Sequence, residues 1–286
     1  MRCLVTGARG MLGTELVSYL RARGEEVVEW DLPAHDISDI QATINGIHRV
    51  GPEVVFHLAA WTDVDGCEQD PARAAKVNTQ GTWAVALGVA ETGGRMLYVS
   101  TDYVFDGRSG RPYRENDEPG PLSVYGRSKL MGEKAVERTT KHGFIVRTGW
   151  LYGRNGKNFV DTIRSKAAQL AVLEVVDDQV GAPTLVTDIL RPLHEIGRST
   201  RFDRYHVTNS GNCSWYELAR EVVRLSNADC EVRPTSSAAL ARPAPRPACS
   251  VLENRNLRRR FGIALRDWRE ALEEYIAGSR TAAAGR

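Results

Sequence analysis

At 286 residues and 42% hydrophobic content, the chain is long enough for one large domain or two modest ones with a sizeable core. Its formal charge of +2, from 38 basic and 36 acidic residues spread along the sequence, excludes the strong field that captures nucleic acid or an anionic membrane. Five dispersed cysteines without metal-ligand spacing, no secretory leader and no apolar run approaching roughly 18 residues point to reduced thiols in a soluble, cytoplasmic protein.

The first apolar run, RCLVTG, leads into a glycine-rich turn. VTGARGMLG places Gly7, Gly10 and Gly13 three residues apart, ahead of a helical pattern in GMLGTELVSYLRAR. In that context the first glycine permits a tight turn, the second lets backbone approach a pyrophosphate, and the third lets helix pack on strand. The second run, EEVVEWD, ends in Asp31, eighteen residues after Gly13 and near the spacing expected for a carboxylate that binds the adenosine ribose. Asp31 favours NAD, because it would repel a 2'-phosphate; Arg9, inside the loop, could pair with that phosphate and favours NADP. Asp36 either reaches the adenine side of the pocket or caps the helix of DISDIQATINGIHRV. The third run, EVVFHLAA, ends in Ala59 and Ala60, which either let a dinucleotide lie flat or simply pack closely.

PARAAKVNTQGTWAVALGVAE is helical in period, and RMLYVST is the fourth strand, ending at Thr101. Residues 104 to 123 form the longest unpatterned stretch of the first half, a loop on the substrate side. Immediately after it, VYGRSKLMGE places Tyr125 and Lys129 four residues apart at a helix start, so both point the same way. The spacing alone is weak evidence; its place after a glycine cradle and a strand-end threonine gives it weight. GFIVRTGWLYG supplies a fifth strand. Strands apolar throughout, separated by helices, predict a doubly wound parallel sheet of Rossmann type over 1–150.

Beyond residue 150 the alternation loosens, and 151–286 is expected to form mainly a smaller mixed substrate-binding domain. NFVDTIRSKAAQ, TLVTDILRPLHEIG and SWYELAREVVRLS read as helices; LEVVDDQ and RYHVTNSG read as strands. A strand and helix near 172–198 are expected to return to the first domain. RNLRRRFG reads as a solvated basic surface beside a last helix in LRDWREALEEYIAG. The tail GSRTAAAGR has nothing to bury and is expected to be disordered.

Together these pieces resemble the extended short-chain dehydrogenase/reductase superfamily, whose TGxxGxxG loop and YxxxK element match TGARGMLG and YGRSK. More narrowly, AAWTDVDGCEQDP, VSTDYVFDG, SVYGRSKLMGE, RTGWLYG, VVDDQVGAPT and RPACSVL resemble, in order, the dTDP-4-dehydrorhamnose reductase family. The resemblance implies reduction of a sugar-nucleotide ketone by NADPH, with NADH as an alternative, and makes Thr101, Tyr125 and Lys129 the catalytic group. Hydride addition to a ketone needs a proton at its oxygen, and an ammonium near a tyrosine lowers the phenol pKa from about 10. Lys129 is expected to do that and to bind the nicotinamide ribose, while Thr101 holds the ketone oxygen. The resemblance adds Met11, Leu12, Ile37, Thr62 and Asn78 to the cofactor contacts.

Asp102 and Tyr103 are implied in sugar recognition, although Tyr103 could be ordinary packing. Trp150 is either a stacking wall for hexose or thymine or part of a core. Asn158, Gln179 and Arg246 are implied nucleotide contacts, Arg246 through a guanidinium fork on the diphosphate. Gly149 stands where the family usually has serine, and Cys249 where asparagine or an aromatic is commoner, which leaves the sugar open. A reductase of the streptose branch of antibiotic biosynthesis would share nearly every block. Related dehydratases carry an acidic residue where this chain has Tyr103. A regulatory subunit of mammalian methionine adenosyltransferase shares the fold, so a non-catalytic cofactor-binding role is the alternative from another class. A homodimer is compatible with the resemblance. Some relatives bind Mg2+ at a subunit contact, but no acidic spacing here assigns a metal site.

Overall fold

The computed structural model describes residues 1–284, with side chains described to Gly278. Five strands, β1 (Arg2–Thr6), β2 (Glu26–Trp30), β3 (Val54–His57), β4 (Arg95–Thr101) and β5 (Gly143–Thr148), alternate with α1 (Met11–Arg21), α2 (Ile40–Val50), α3 (Val64–Gln69), α4 (Pro71–Ala74), α5 (Thr82–Thr92) and α6 (Val124–Thr139). A π-helical stretch, Ala75–Gly81, joins α4 to α5, and a 3-10 turn, Asp102–Val104, follows β4.

The rest of the chain contains β6 (Leu151–Tyr152), α7 (Phe159–Ala167), β7 (Val172–Val176), β8 (Val180–Gly181), β9 (Thr184–Leu185) and α8 (Val186–Arg198). It continues through β10 (Arg204–His206), β11 (Cys213–Ser214), α9 (Trp215–Ser226), β12 (Glu231–Thr235), α10 (Ser237–Leu240), α11 (Arg255–Phe261) and α12 (Trp268–Ala284).

The main sheet is parallel in the order β2-β1-β3-β4-β5-β10. Successive side chains of β1 point to opposite faces, and both faces are covered. Cys3 and Val5 pack with Leu16 and Leu20 of α1 and Ile189 and Leu193 of α8. Leu4 packs with Ile47 of α2, Val85 and Val89 of α5 and Val136 of α6. Neighbours of β1 lie on either side of it, β2 and β3, which puts the topological switch point and its crevice at the carboxyl ends of β1 and β3.

Helix α8 returns to this sheet, as its apolar stripe requires. The strand expected to accompany it does not: Val172–Val176 pairs with β12, and β10 is the strand that joins β5. The exposure of β7 alternates, with Leu173 and Val175 buried, which suits a strand covered on one face only. A second core gathers Val160 and Ile163 of α7, Leu218 and Val222 of α9, and Leu272 and Ile276 of α12.

Loop 104–123 does not line the cavity described below. Phe105 and Tyr113 stack at 4.1 Å, and Tyr113 bridges to Leu252, so the loop clamps the segment around 246–253. The basic run lies on α11 with Arg258 and Arg259 exposed, while Arg260 pairs with Asp203. Backbone to Ala284 continues α12 through most of the tail expected to be disordered; its last two residues lie outside the described ones. Among the described residues no helix is long and apolar enough to cross a membrane, and no group of three or more His, Cys, Asp or Glu could hold a metal ion.

Candidate active site

A cavity of about 790 Å³ runs along the carboxyl ends of β1 to β5 and reaches the second core at Trp215. At its floor the chain turns at Gly7, whose φ of 68° belongs to the left-handed region. A Cβ on Gly7 would lie 2.8 Å from the Ala59 amide nitrogen, and one on Gly13 would lie 2.0 Å from the Gly7 carbonyl oxygen. A Cβ on Gly10 would meet only that same carbonyl oxygen, at 3.3 Å, so Gly10 is the open face of the loop. Gly10 is also the N-cap of α1 and offers no side-chain cap, which leaves the first-turn N–H groups for an anion.

Buried polar contacts lock this switch point. The Ala59 N–H donates to Thr6 Oγ1 at 3.3 Å, and the Thr82 hydroxyl donates to the Asn78 carbonyl at 2.8 Å. His57, 2.7 Å from Thr6 Oγ1 and 3.0 Å from Thr82 Oγ1, must therefore donate from Nε2 and accept at Nδ1. Burial pushes His57 down to about 3, so this neutral form persists at physiological pH.

Thr101, Tyr125 and Lys129 meet at the far wall, all buried at 6%, 9% and 3% exposure. Ser123 caps α6 by accepting from the Gly126 N–H at 3.1 Å, which starts the helix so that Tyr125 and Lys129 face β4. The helix is pinned from below: Glu133 takes hydrogen bonds from Ser100 Oγ at 2.6 Å and from Arg147 Nη2 at 2.7 Å, with both charged partners 1% exposed. Thr101 lies beside the Tyr125 phenol and lowers its pKa against the effect of burial.

Burial holds the Tyr125 phenol well above its ordinary value. The Lys129 Nζ donates to the Val99 carbonyl at 2.8 Å and lies 4.2 Å from the Tyr98 ring centroid. Burial lowers Lys129 from 10.5 to about 7, against the pull of Glu133.

The family model described as RmlD substrate binding domain matches residues 1–281. The chain belongs to this family. An RmlD-family relative from Streptomyces griseus, a dTDP-4-dehydrorhamnose reductase, is 46% identical over 281 residues, covering 96% of this chain and 92% of the relative. A probable dTDP-4,6-dihydroxy-2-methyloxan-3-one 4-ketoreductase of Streptomyces antibioticus is 41% identical over 277 residues, covering 96% and 94%. A crystal structure of dTDP-4-dehydrorhamnose reductase from Bacillus anthracis in complex with NADP matches with a TM-score of 0.94 at 34% identity, covering 97% of this chain and 99% of that one.

In this RmlD-family chain, every residue assigned to the cofactor except Asn78 lines the cavity. Asn78 is fully buried: its side chain brackets the Trp61 backbone at 2.8 and 3.1 Å and reaches Ser128 Oγ at 3.0 Å, tying the cavity loop to α6. Asp31 Oδ2 accepts from the Arg9 N–H at 2.7 Å and Oδ1 from the Leu32 N–H at 2.8 Å. Asp36 turns on the Ser38 N–H at 2.8 Å; the cap of α2 is Asp39, not Asp36.

Asp102, Tyr103 and Trp150 line the substrate side, whereas Asn158, Gln179 and Arg246 do not line the cavity. Asn158 caps α7, accepting from the Asp161 N–H at 2.9 Å, and Gln179 donates to Ser237 Oγ at 2.7 Å. Arg246 bonds Asp65 at 3.0 Å and lies near enough to Tyr103 to lower its phenol against burial, so it supports the wall from behind.

Trp150, at a φ of 51°, stacks on Trp215 with centroids 3.4 Å apart and planes within 2°. A Cβ on Gly181 would fall 2.2 Å from Trp150 Cε2, 2.4 Å from Nε1 and 2.6 Å from Cζ2, a pattern that places Gly181 over the ring face. Trp215 takes one face and Gly181 the other, so the expected stacking wall presents an edge. Sequence reasoning missed Trp215, which reads as an ordinary first residue of a capped helix, and His35, which stacks on Trp30 at 4.8 Å and lines the cavity.

Proposed function

We infer that the chain is an NAD(P)H-dependent reductase of the C4 ketone of a dTDP-4-dehydro-6-deoxyhexose, with dTDP-4-dehydro-L-rhamnose as substrate and dTDP-L-rhamnose as product, acting in the cytoplasm. The observation that carries this reading is the convergence of a glycine cradle and the Thr101–Tyr125–Lys129 group on one cavity. The cradle fits a dinucleotide: the space a Cβ would fill at Gly7 and Gly13 is closed by backbone, while Gly10 opens to the cavity. Residues 1–150, with α8 and β10, carry the cofactor, and 151–286 mainly the substrate.

The bound nicotinamide supplies the hydride. Tyr125 gives the proton to the carbonyl oxygen, and the burial that keeps its phenol protonated suits a group that acts as an acid. Thr101, beside Tyr125 at the cavity wall, sets where that oxygen sits. Lys129 orients the nicotinamide ribose and brings positive charge beneath the phenol when protonated. Asp31 already takes two backbone N–H groups, and Arg9 has no carboxylate partner among the described residues, which supports a 2'-phosphate and hence NADPH as the preferred form.

A second reading keeps the reaction and changes the sugar: Gly149 lies against Asp102 on the substrate side, and a serine there would crowd it. The test is an assay of dTDP-4-dehydro-L-rhamnose with NADPH and NADH in parallel. The expected result is loss of one reduced cofactor per sugar, faster with NADPH. Conversion of the sugar without that loss would make the protein an epimerase, and cofactor binding without turnover of any 4-keto sugar nucleotide would make it a binding subunit.

A further inference from the structure

The Thr101 hydroxyl carries one proton, and its neighbours determine where that proton goes. Its oxygen accepts from the Tyr103 backbone N–H at 3.2 Å, and the Tyr125 phenol stands beside it. Asp102 Oδ1 lies 3.0 Å away on the other side. A threonine that donates to an ionised carboxylate has no proton left for a ketone oxygen. Holding the substrate in that state would set lone pair against lone pair.

Asp102 is 3% exposed and held in place. The Ser250 hydroxyl lies on another side of it and, with Thr101, opposes the effect of burial on its pKa. On its remaining side stands Gly149, where a Cβ would lie 2.5 Å from the Asp102 Cγ and 2.7 Å from each carboxyl oxygen. The carboxyl group therefore occupies the space a side chain at 149 would need, and this seats it on Thr101.

We propose that Asp102 is a positioning residue that acts in its protonated form: its carboxyl O–H donates to Thr101 Oγ1 and turns the Thr101 proton toward the substrate's carbonyl oxygen. The proposal rests on the reductase reading above. No atom is exchanged; the proton given to the alkoxide is still that of Tyr125, and Asp102 sets only the direction of the second hydrogen bond. Burial raises Asp102 from 3.8 to about 6, which brings both its forms within the working range of pH. The titratable groups facing it are Tyr125 of α6 and Tyr103, both kept protonated by burial. Arg246 stands behind Tyr103, Lys129 is turned to Val99, and no cation bonds the Asp102 carboxylate among the described residues.

Two measurements on the NADP-loaded protein test this. Carboxyl-13C NMR of Asp-labelled protein, with Asp102 assigned by its loss in Asp102→Asn, is expected to show a midpoint near 6 that moves by about one pH unit in Thr101→Val. In the reductase assay, wild-type kcat/KM is expected to fall about tenfold per pH unit above that midpoint. Asp102→Asn, whose amide can donate without titrating, is expected to lose this limb whatever its absolute rate, while Asp102→Leu is slower than Asp102→Asn by about 10- to 100-fold at pH values below the midpoint. An Asp102 that titrates as an ordinary carboxylate, that ignores Thr101→Val, or whose limb persists in Asp102→Asn overturns the proposal. If no 4-keto sugar turns over, the reductase reading fails by itself, and the Thr101→Val shift still decides whether Asp102 is coupled to Thr101.

Discussion

Lys129 shows how burial and a functional charge oppose each other. In the unfolded chain it titrates at 10.5, and in the folded protein burial brings it to about 7. Between these values the unfolded chain holds a proton that the folded protein has released, so stability rises with pH across this window. Below pH 7 the cost of the buried ammonium is fully present. Lys129→Met is therefore expected to be more stable than wild type by about 1–3 kcal/mol at pH 6, with a smaller advantage at pH 9, although inactive. Urea denaturation at the two pH values checks it, and equal destabilisation at both would contradict it. At this scale Tyr125, Lys129 and Thr101 were legible because spacing and strand ends specify position. The direction of the Lys129 Nζ was not, since it depends on the Val99 carbonyl and the Tyr98 ring, both brought near by tertiary packing.

Short elements decide the substrate side. The two-residue strand β8 brings Gly181 onto Trp150, and the start of α9 brings Trp215 onto its other face. Phe159 extends the stack at 4.5 Å from Trp215. Gly181→Ala must push the Trp150 indole out of place, because the new Cβ would sit 2.2 Å from Cε2. A cost of about 1–3 kcal/mol is expected, with Tm lower by a few degrees, together with a changed near-UV circular dichroism of the indole pair. An unaltered spectrum and Tm would show that the stack is loose. The glycine cradle was readable as an element because each glycine has a local reason at fixed spacing. The Trp150 stack was not, since its partners lie 31 and 65 positions away and nothing in SWYEL marks a cavity residue. Gln179 sits in a block that resembles the family and Asn158 just after one, yet their side chains serve a hydroxyl contact and a helix cap.

Across the whole molecule, the parallel doubly wound sheet was implied by apolar runs separated by helices, while its strand order, with β2 and β3 on either side of β1, is what places the crevice. The later strands were harder. β7 and β10 are both short, and only pairing with β12 or β5 distinguishes their sheets. The outcome is one cavity with a phosphate cradle at one end, an indole stack at the other, and a buried phenol between them. The most direct test of that arrangement is Tyr125→Phe, measured for NADPH affinity and for turnover of dTDP-4-dehydro-L-rhamnose. The account predicts a dissociation constant within about threefold of wild type and turnover reduced by about 10²- to 10⁴-fold. Full turnover in the phenylalanine variant would contradict it.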